Sequence, residues 1–533
     1  MGPKTRYLGA MAPSEALTEA WRIVCFNQFH DIFDGSAIHE TYEQTVKDCT
    51  QAMIAATDAI YDAATVIAPK KLSGHITVIN PLGWEREDWV FVPGTRREVG
   101  AITLADAQGR TTVGQFVAGG LAFVAHVPAF DAAVYRIVGT ASDEPALVPQ
   151  PAFAPVDGRR ADTPEAAAAA PYWRVDTPYY TAYVRRDCGI IVGFYDKRAH
   201  RELVGFGMRK PSDYMDTARP DLALNVFQVT EELPHAMSAW ELQEVASVRN
   251  LITGATTEVT ETGPVHCIIE VRHRFRRSTI TQHIIFYKHL PRVDFETSVN
   301  WHEPGDAKRG VPGLKVAFTA RMPECEAWFE TPYAAVQRPS DGQEVPALRW
   351  ADVGGSTYGF ALLNDSKYGY DAMGCRLRMT LVRSAYEPDA VADIGQHVFR
   401  YSFLPHSGNW REAGVVRAAA GFNQPLSAHR DVVPLESGGV CFSAHLQDAG
   451  SALITAMKPA KAATDHVVLR VAETAGRNVS GARLHIKGAR TVWLANIVED
   501  PVGPVALHDG AVTFSLRPWE VRTYLVQAGC PHD

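Results

Sequence analysis

The densest group of side chains able to do chemistry lies between Trp21 and Glu43, in WRIVCFNQFHDIFDGSAIHETYE. Asn27, Gln28, His30 and Asp31 fall where a helical pattern stops, and Gly35 marks a turn just beyond. Polar ends placed there can converge on a pocket. A neutral imidazole is a common metal ligand, and an adjoining carboxylate can meet a substrate hydroxyl or steady the imidazole. The same histidine also suits a plainer role, capping the last carbonyls of its helix with help from the helix dipole. His39, further along, is expected to face solvent.

These residues must be carried by helices. Leu17, Ala20, Trp21 and Val24 recur near the 3.6-residue period after a capping Ser14. Ser36 can cap a second helix whose apolar stripe runs through Ile38, Tyr42, Cys49, Met53 and Ile60 and ends before Pro69. Two helices joined by a turn form an αα-hairpin, residues 1–70. Strand and turn signals then take over, as in ITVINPLGW (76–84) and WVFVP (89–93), giving a small β domain over 71–142. Residues 143–171, rich in Pro and Ala, read as a linker whose Ala run can make one helical turn. From 172 to 420 period-2 alternation dominates. Cys267, Ile269, Val271, His273 and Phe275 share one parity, as do Val293, Phe295, Thr297, Val299 and Trp301. Such runs imply large antiparallel sheets packed face to face. Shorter strands over 421–533 imply a last β domain. The fold class expected is mainly β with a short N-terminal helical hairpin.

The 533 residues are 46% apolar and 21% charged, globular composition too long for one core. A net charge of −8 gives no reason to expect nucleic acid or an anionic membrane as partner, and no apolar run approaches the ~20 residues of a membrane span. The eight cysteines show no CxxC pair, so they read as free thiols, and with no apolar leader at the start a cytoplasmic setting is expected.

Taken in order, the fragments resemble the zinc-dependent α-mannosidases of glycoside hydrolase family 38. A tryptophan, NQFHDI, a Gly-Ser turn and I-x-E-x-Y-E are followed by VINPLGWER (78–86), GIIVGFYDKRAHRELV (189–204), LALNVF (222–227) and SAWEL (238–242). Further on come RWADVGGSTYGFALLNDSKYGYD (349–371), LRMTLVRSAYEPD (377–389) and ADIGQHVFRYSFLPHSGNW (392–410). The resemblance implies a galactose-mutarotase-like supersandwich flanked by smaller β domains. It implies that His30 is a ligand of Zn2+, that Asp31 touches bound mannose, and that the reaction is retaining hydrolysis of terminal α-linked mannose from oligosaccharides or glycans. Beside it, Trp350 and Asp352 can offer a pyranose a stacking plane and a hydroxyl acceptor, or Trp350 can be core. NDSKYGYD reads as a hairpin turn built on Asn364, Asp365 and Gly369, or as a loop edging the sugar. His397 and His406 read as hydrogen-bonded structural residues.

Retaining glycosidases use two carboxyl groups about 5–5.5 Å apart. In the family these, and an H-x-D pair of zinc ligands, belong to an N-terminal barrel-like domain, whereas here twenty residues precede Trp21. His429-Arg430-Asp431 spells H-x-D near the opposite end and is taken as coincidence. The expectation is therefore a C-terminal portion with one metal ligand and no catalytic residue of its own, inactive alone. Its partners would be an α-mannoside, a separately encoded catalytic domain and other copies of itself, since the helical face is left uncovered. A non-catalytic carbohydrate-binding or scaffold module of the same fold is the alternative.

Overall fold

Residues 15–94, 100–141, 144–153, 163–204, 222–434, 442–461 and 465–529 are described by a computed structural model. The expected hairpin contains three helices: α1 (Glu15–Asn27), the short α2 (His30–Phe33) and the long α3 (His39–Ile67). The chain leaves helical geometry at Phe29 (ψ 140°), which splits off α2. Ser36 does not cap α3; Ile38 holds the cap position. The Ser36 hydroxyl donates instead to Asp34 Oδ1 at 2.7 Å and closes the turn around Gly35, whose φ of +89° a Cβ would strain. Much of the apolar stripe of α3 faces outward, with Ile38, Met53 and Ile60 exposed and Ala52 and Ala64 buried.

The alternating stretch forms two stacked sheets. An eleven-stranded sheet includes Ala223–Glu232, Val311–Thr319 and Arg376–Arg383, and a nine-stranded sheet includes His266–Phe275, Ser278–Tyr287, Val293–Trp301 and Gly395–Ser407. Both parity sets read from the sequence are buried. Phe318 of one sheet meets Phe295 and Phe403 of the other at 5.7 and 5.6 Å between ring centroids. Each such ring taken from water contributes roughly 1.5–3 kcal/mol. At the centre Asn225 donates to Gln282 (2.7 Å), Gln282 to Tyr401 (2.7 Å) and Tyr401 back to Asn225 (2.8 Å). This closed buried ring satisfies its own donors and fixes how the sheets face each other.

The small β domain is a seven-stranded sheet, and its edge strand, Ser427–Val433, returns from the stretch assigned on sequence to the C-terminal domain to pair with Lys70–Ile79. Arg86 ties this sheet to a helix that precedes that strand. The expected linker is partly ordered: Gln150–Ala152 pairs with Tyr172–Asp176, and α4 (Pro164–Ala169) forms on the Ala run. α5 (Val415–Asn423) accepts Arg86 through the carbonyls of Gly421 and Gln424 at 3.0 and 2.8 Å, a cation at a helix C-terminus. Three- and five-stranded sheets form the last domain around one core. Not every thiol is free: Cys325 and Cys375 form a disulfide, their Cα atoms 4.9 Å apart. Fifty residues separate them in sequence, so spacing gave no hint of it.

Candidate functional site

Asn27 is buried, and its amide donates to Ile23 O at 3.0 Å while accepting the Thr45 hydroxyl at 2.8 Å. It locks the end of α1 to α3. That frees the next residues to project outward. His30 opens α2 rather than closing α1, so it does not cap the preceding helix. Its side chain is 79% exposed, with Nε2 3.5 Å from Asp31 Oδ2. The Phe29 ring lies 4.3 Å from the imidazole, and Trp21, Phe26 and Phe33 of the same helical unit are exposed as well.

Two contacts seat this helical unit on the sandwich. Phe33 packs 6.2 Å from Tyr368. His39 is exposed, as expected, yet it places Nδ1 3.1 Å from the buried Asp389, whose hydrogen bond raises the imidazole above its ordinary pKa. Only a fold that brings residues 39 and 389 together reveals that bond. Tyr368 sits in NDSKYGYD, which forms a turn between the strands Tyr358–Asn364 and Gly369–Met373. Asn364 Oδ1 accepts Ser366 N and Lys367 N at 3.0 and 2.7 Å, and its amide reaches Leu348 O at 2.8 Å. Asn423 of α5 supports the turn from below by donating to Asn364 O at 2.8 Å.

The other sequence candidates lie apart from His30. Trp350 is core, fully buried against Trp410 at 5.0 Å. Asp352 is buried and bound to His406 Nε2 at 2.6 Å, and burial raises its carboxyl pKa. His397 bonds Asp393 O at 2.7 Å. Asp431 accepts Gly74 N at 2.8 Å across the strand pairing, and His429 lies 3.4 Å from Ser427 on its own strand.

Protein-bound zinc uses three or four protein ligands. Among the described residues no group of three His, Cys, Asp or Glu side chains is placed to hold a metal. By themselves His30 and Asp31 do not fit a zinc ion.

Comparison with known proteins decides the family. Residues 4–67 match the α-mannosidase middle domain, 175–391 the C-terminal domain of family 38 glycosyl hydrolases, and 451–524 the C-terminal β-sandwich domain of the same family. The chain belongs to glycosyl hydrolase family 38. This family 38 chain is 26% identical to alpha-mannosidase 2C1 of Mus musculus across 97% of its own length and 46% of the relative's. It thus spans about half of that protein. Alpha-mannosidase G of Dictyostelium discoideum is 32% identical over 35% of the chain and 18% of that relative. Among solved structures, an alpha-mannosidase from Enterococcus faecalis V583 superposes with a TM-score of 0.70 at 15% identity, covering 98% of this chain and 65% of that one. The family 38 motif around His30 therefore lies within the matched middle domain.

Proposed function

We propose that this chain is the helical and β-sandwich part of a zinc-dependent, retaining α-mannosidase that removes terminal α-linked mannose from oligosaccharides or glycans. His30 acts as one metal ligand and Asp31 as a contact to the sugar. One observation carries the reading: an imidazole and a carboxylate are held outward from a short helix, beside the exposed ring of Phe29 and on a helical unit that also exposes Trp21, Phe26 and Phe33. A helical unit that leaves this many large apolar side chains in water has a surface suited to being covered. The remaining zinc ligands and the two carboxyl groups of a retaining hydrolase come, in this reading, from polypeptide outside the described residues. The chain alone then has no means of turnover.

Two measurements test this. The purified chain, supplied with zinc, should leave an aryl α-mannoside intact; steady hydrolysis would overturn its dependence on further residues. In the active protein or complex that contains the chain, His30→Ala should lower kcat/KM by roughly a hundredfold or more and strip zinc, since even loss of a group that merely orients a ligand costs about 10–100-fold. Near-normal rates and metal content would remove His30 from the site.

A further inference from the structure

A cavity of about 430 Å³ lies where the small β domain, the sandwich, α5 and the C-terminal domain meet. Its size falls within the range of ligand pockets, roughly 300–1,000 Å³. Trp84, Tyr333, Tyr368 and Trp519 supply aromatic walls, and Tyr333 and Tyr368 remain exposed at 48% and 46%.

The polar groups are few and incompletely used. Glu330 is buried and accepts Arg349 N at 2.7 Å and Nε at 3.2 Å. Arg349 turns Nη2 to the same carboxylate, and its Nη1 has no hydrogen bond among the described residues. Trp350 packs behind this wall, fully buried. An occupant bringing hydroxyl acceptors would recover hydrogen bonds to the part-exposed Arg349 guanidinium. An apolar occupant would recover none and would desolvate the ion pair. Aromatic faces beside hydroxyl-seeking donors are the chemistry of a pyranose site.

We infer that this cavity holds a mannose unit of an oligosaccharide substrate away from the bond that is cut. The inference rests on the α-mannosidase reading for its choice of sugar. Tyr368 supplies the geometric link, because it walls the cavity and packs on Phe33, three residues past His30.

The test is calorimetric titration of the chain with an α-linked mannotriose. Saturable binding is expected, weakened at least fivefold by Thr455→Trp, which fills the cavity from its exposed rim, and by Tyr333→Ala, which removes a wall. His30→Ala should leave it unchanged. Unaltered melting curves check that each variant folds, and either one suffices. Absence of binding to the parent chain overturns the inference, as does binding that survives both cavity variants or that is lost in His30→Ala. In the active enzyme, Thr455→Trp should raise KM for mannotriose and leave the aryl α-mannoside unaffected. A failure of the mannosidase reading would show separately, as absence of turnover of either substrate by that enzyme.

Discussion

Replacing Asp371 by Asn keeps the side chain's shape and removes its charge from the interior of the eleven-stranded sheet. Asp371 is 1% exposed and stands in the strand that follows Tyr368, so it anchors the turn on which the helical unit rests. Its carboxylate accepts Arg378 Nε at 2.7 and 3.0 Å and Lys315 Nζ at 3.2 Å. Breaking a buried pair by removing one partner costs about 3–5 kcal/mol, because the other charge is left without compensation. Here the loss is partial. Lys315 keeps Glu344, and Arg378 keeps Gln228 Oε1 at 3.3 Å. The expected cost is therefore about 3 kcal/mol, the lower end of that range. For a domain of 150–250 residues this lowers Tm by roughly 6–12 °C. Thermal melting followed by near-ultraviolet circular dichroism reads the change, and the urea midpoint gives a second measure. Asp341→Asn, at an exposed position on the neighbouring strand, serves as control and should shift stability by less than about 0.5 kcal/mol. If Asp371→Asn costs less than about 1 kcal/mol, the reasoning fails, because Lys315, Arg378 and Arg376, which lies 3.9 Å from the carboxylate, would then be solvated or otherwise compensated.

Three further outcomes are expected. The Asp389 bond raises the His39 pKa, so its stabilisation is fully present below about pH 6.5 and fades as pH rises through the raised value; melting temperatures of the parent and His39→Gln between acidic and basic pH should converge upward, and a gap that widens with pH would contradict this. Gly310 has a φ of +93°, and a Cβ there would stand 1.8 Å from Glu232 O. Gly310→Ala should cost at least about 2 kcal/mol by urea unfolding, and a neutral result would mean that this strand edge yields freely. Trp21 and Phe26 are each 68% exposed, so the isolated chain should self-associate and Trp21→Glu with Phe26→Glu should relieve it in light scattering. A monodisperse parent chain at high concentration would show that the face is tolerated bare.

Period-2 alternation over 267–275 and 293–301 determined which parity of each strand is buried, because a strand buries alternate side chains whatever its neighbours. The helical periods of 15–27 and 39–67 determined the hairpin in the same local way, and the fixed run of types around NQFHD singled out His30 and Asp31. Backbone breaks of one or two residues lie below the resolution of a period. Hence the separation of α2 at Phe29, which turns His30 from a helix end into a helix start, emerged only from the coordinates.

Everything that joins distant segments belonged to the tertiary structure. The disulfide between Cys325 and Cys375, the bond from His39 to Asp389 and the return of Ser427–Val433 to the small sheet all span long loops. So does the cavity, whose walls come from four parts of the chain. Sequence distance carries no sign of such contacts, because loop closure costs only logarithmically more as the loop lengthens, and the packing that repays it is collective.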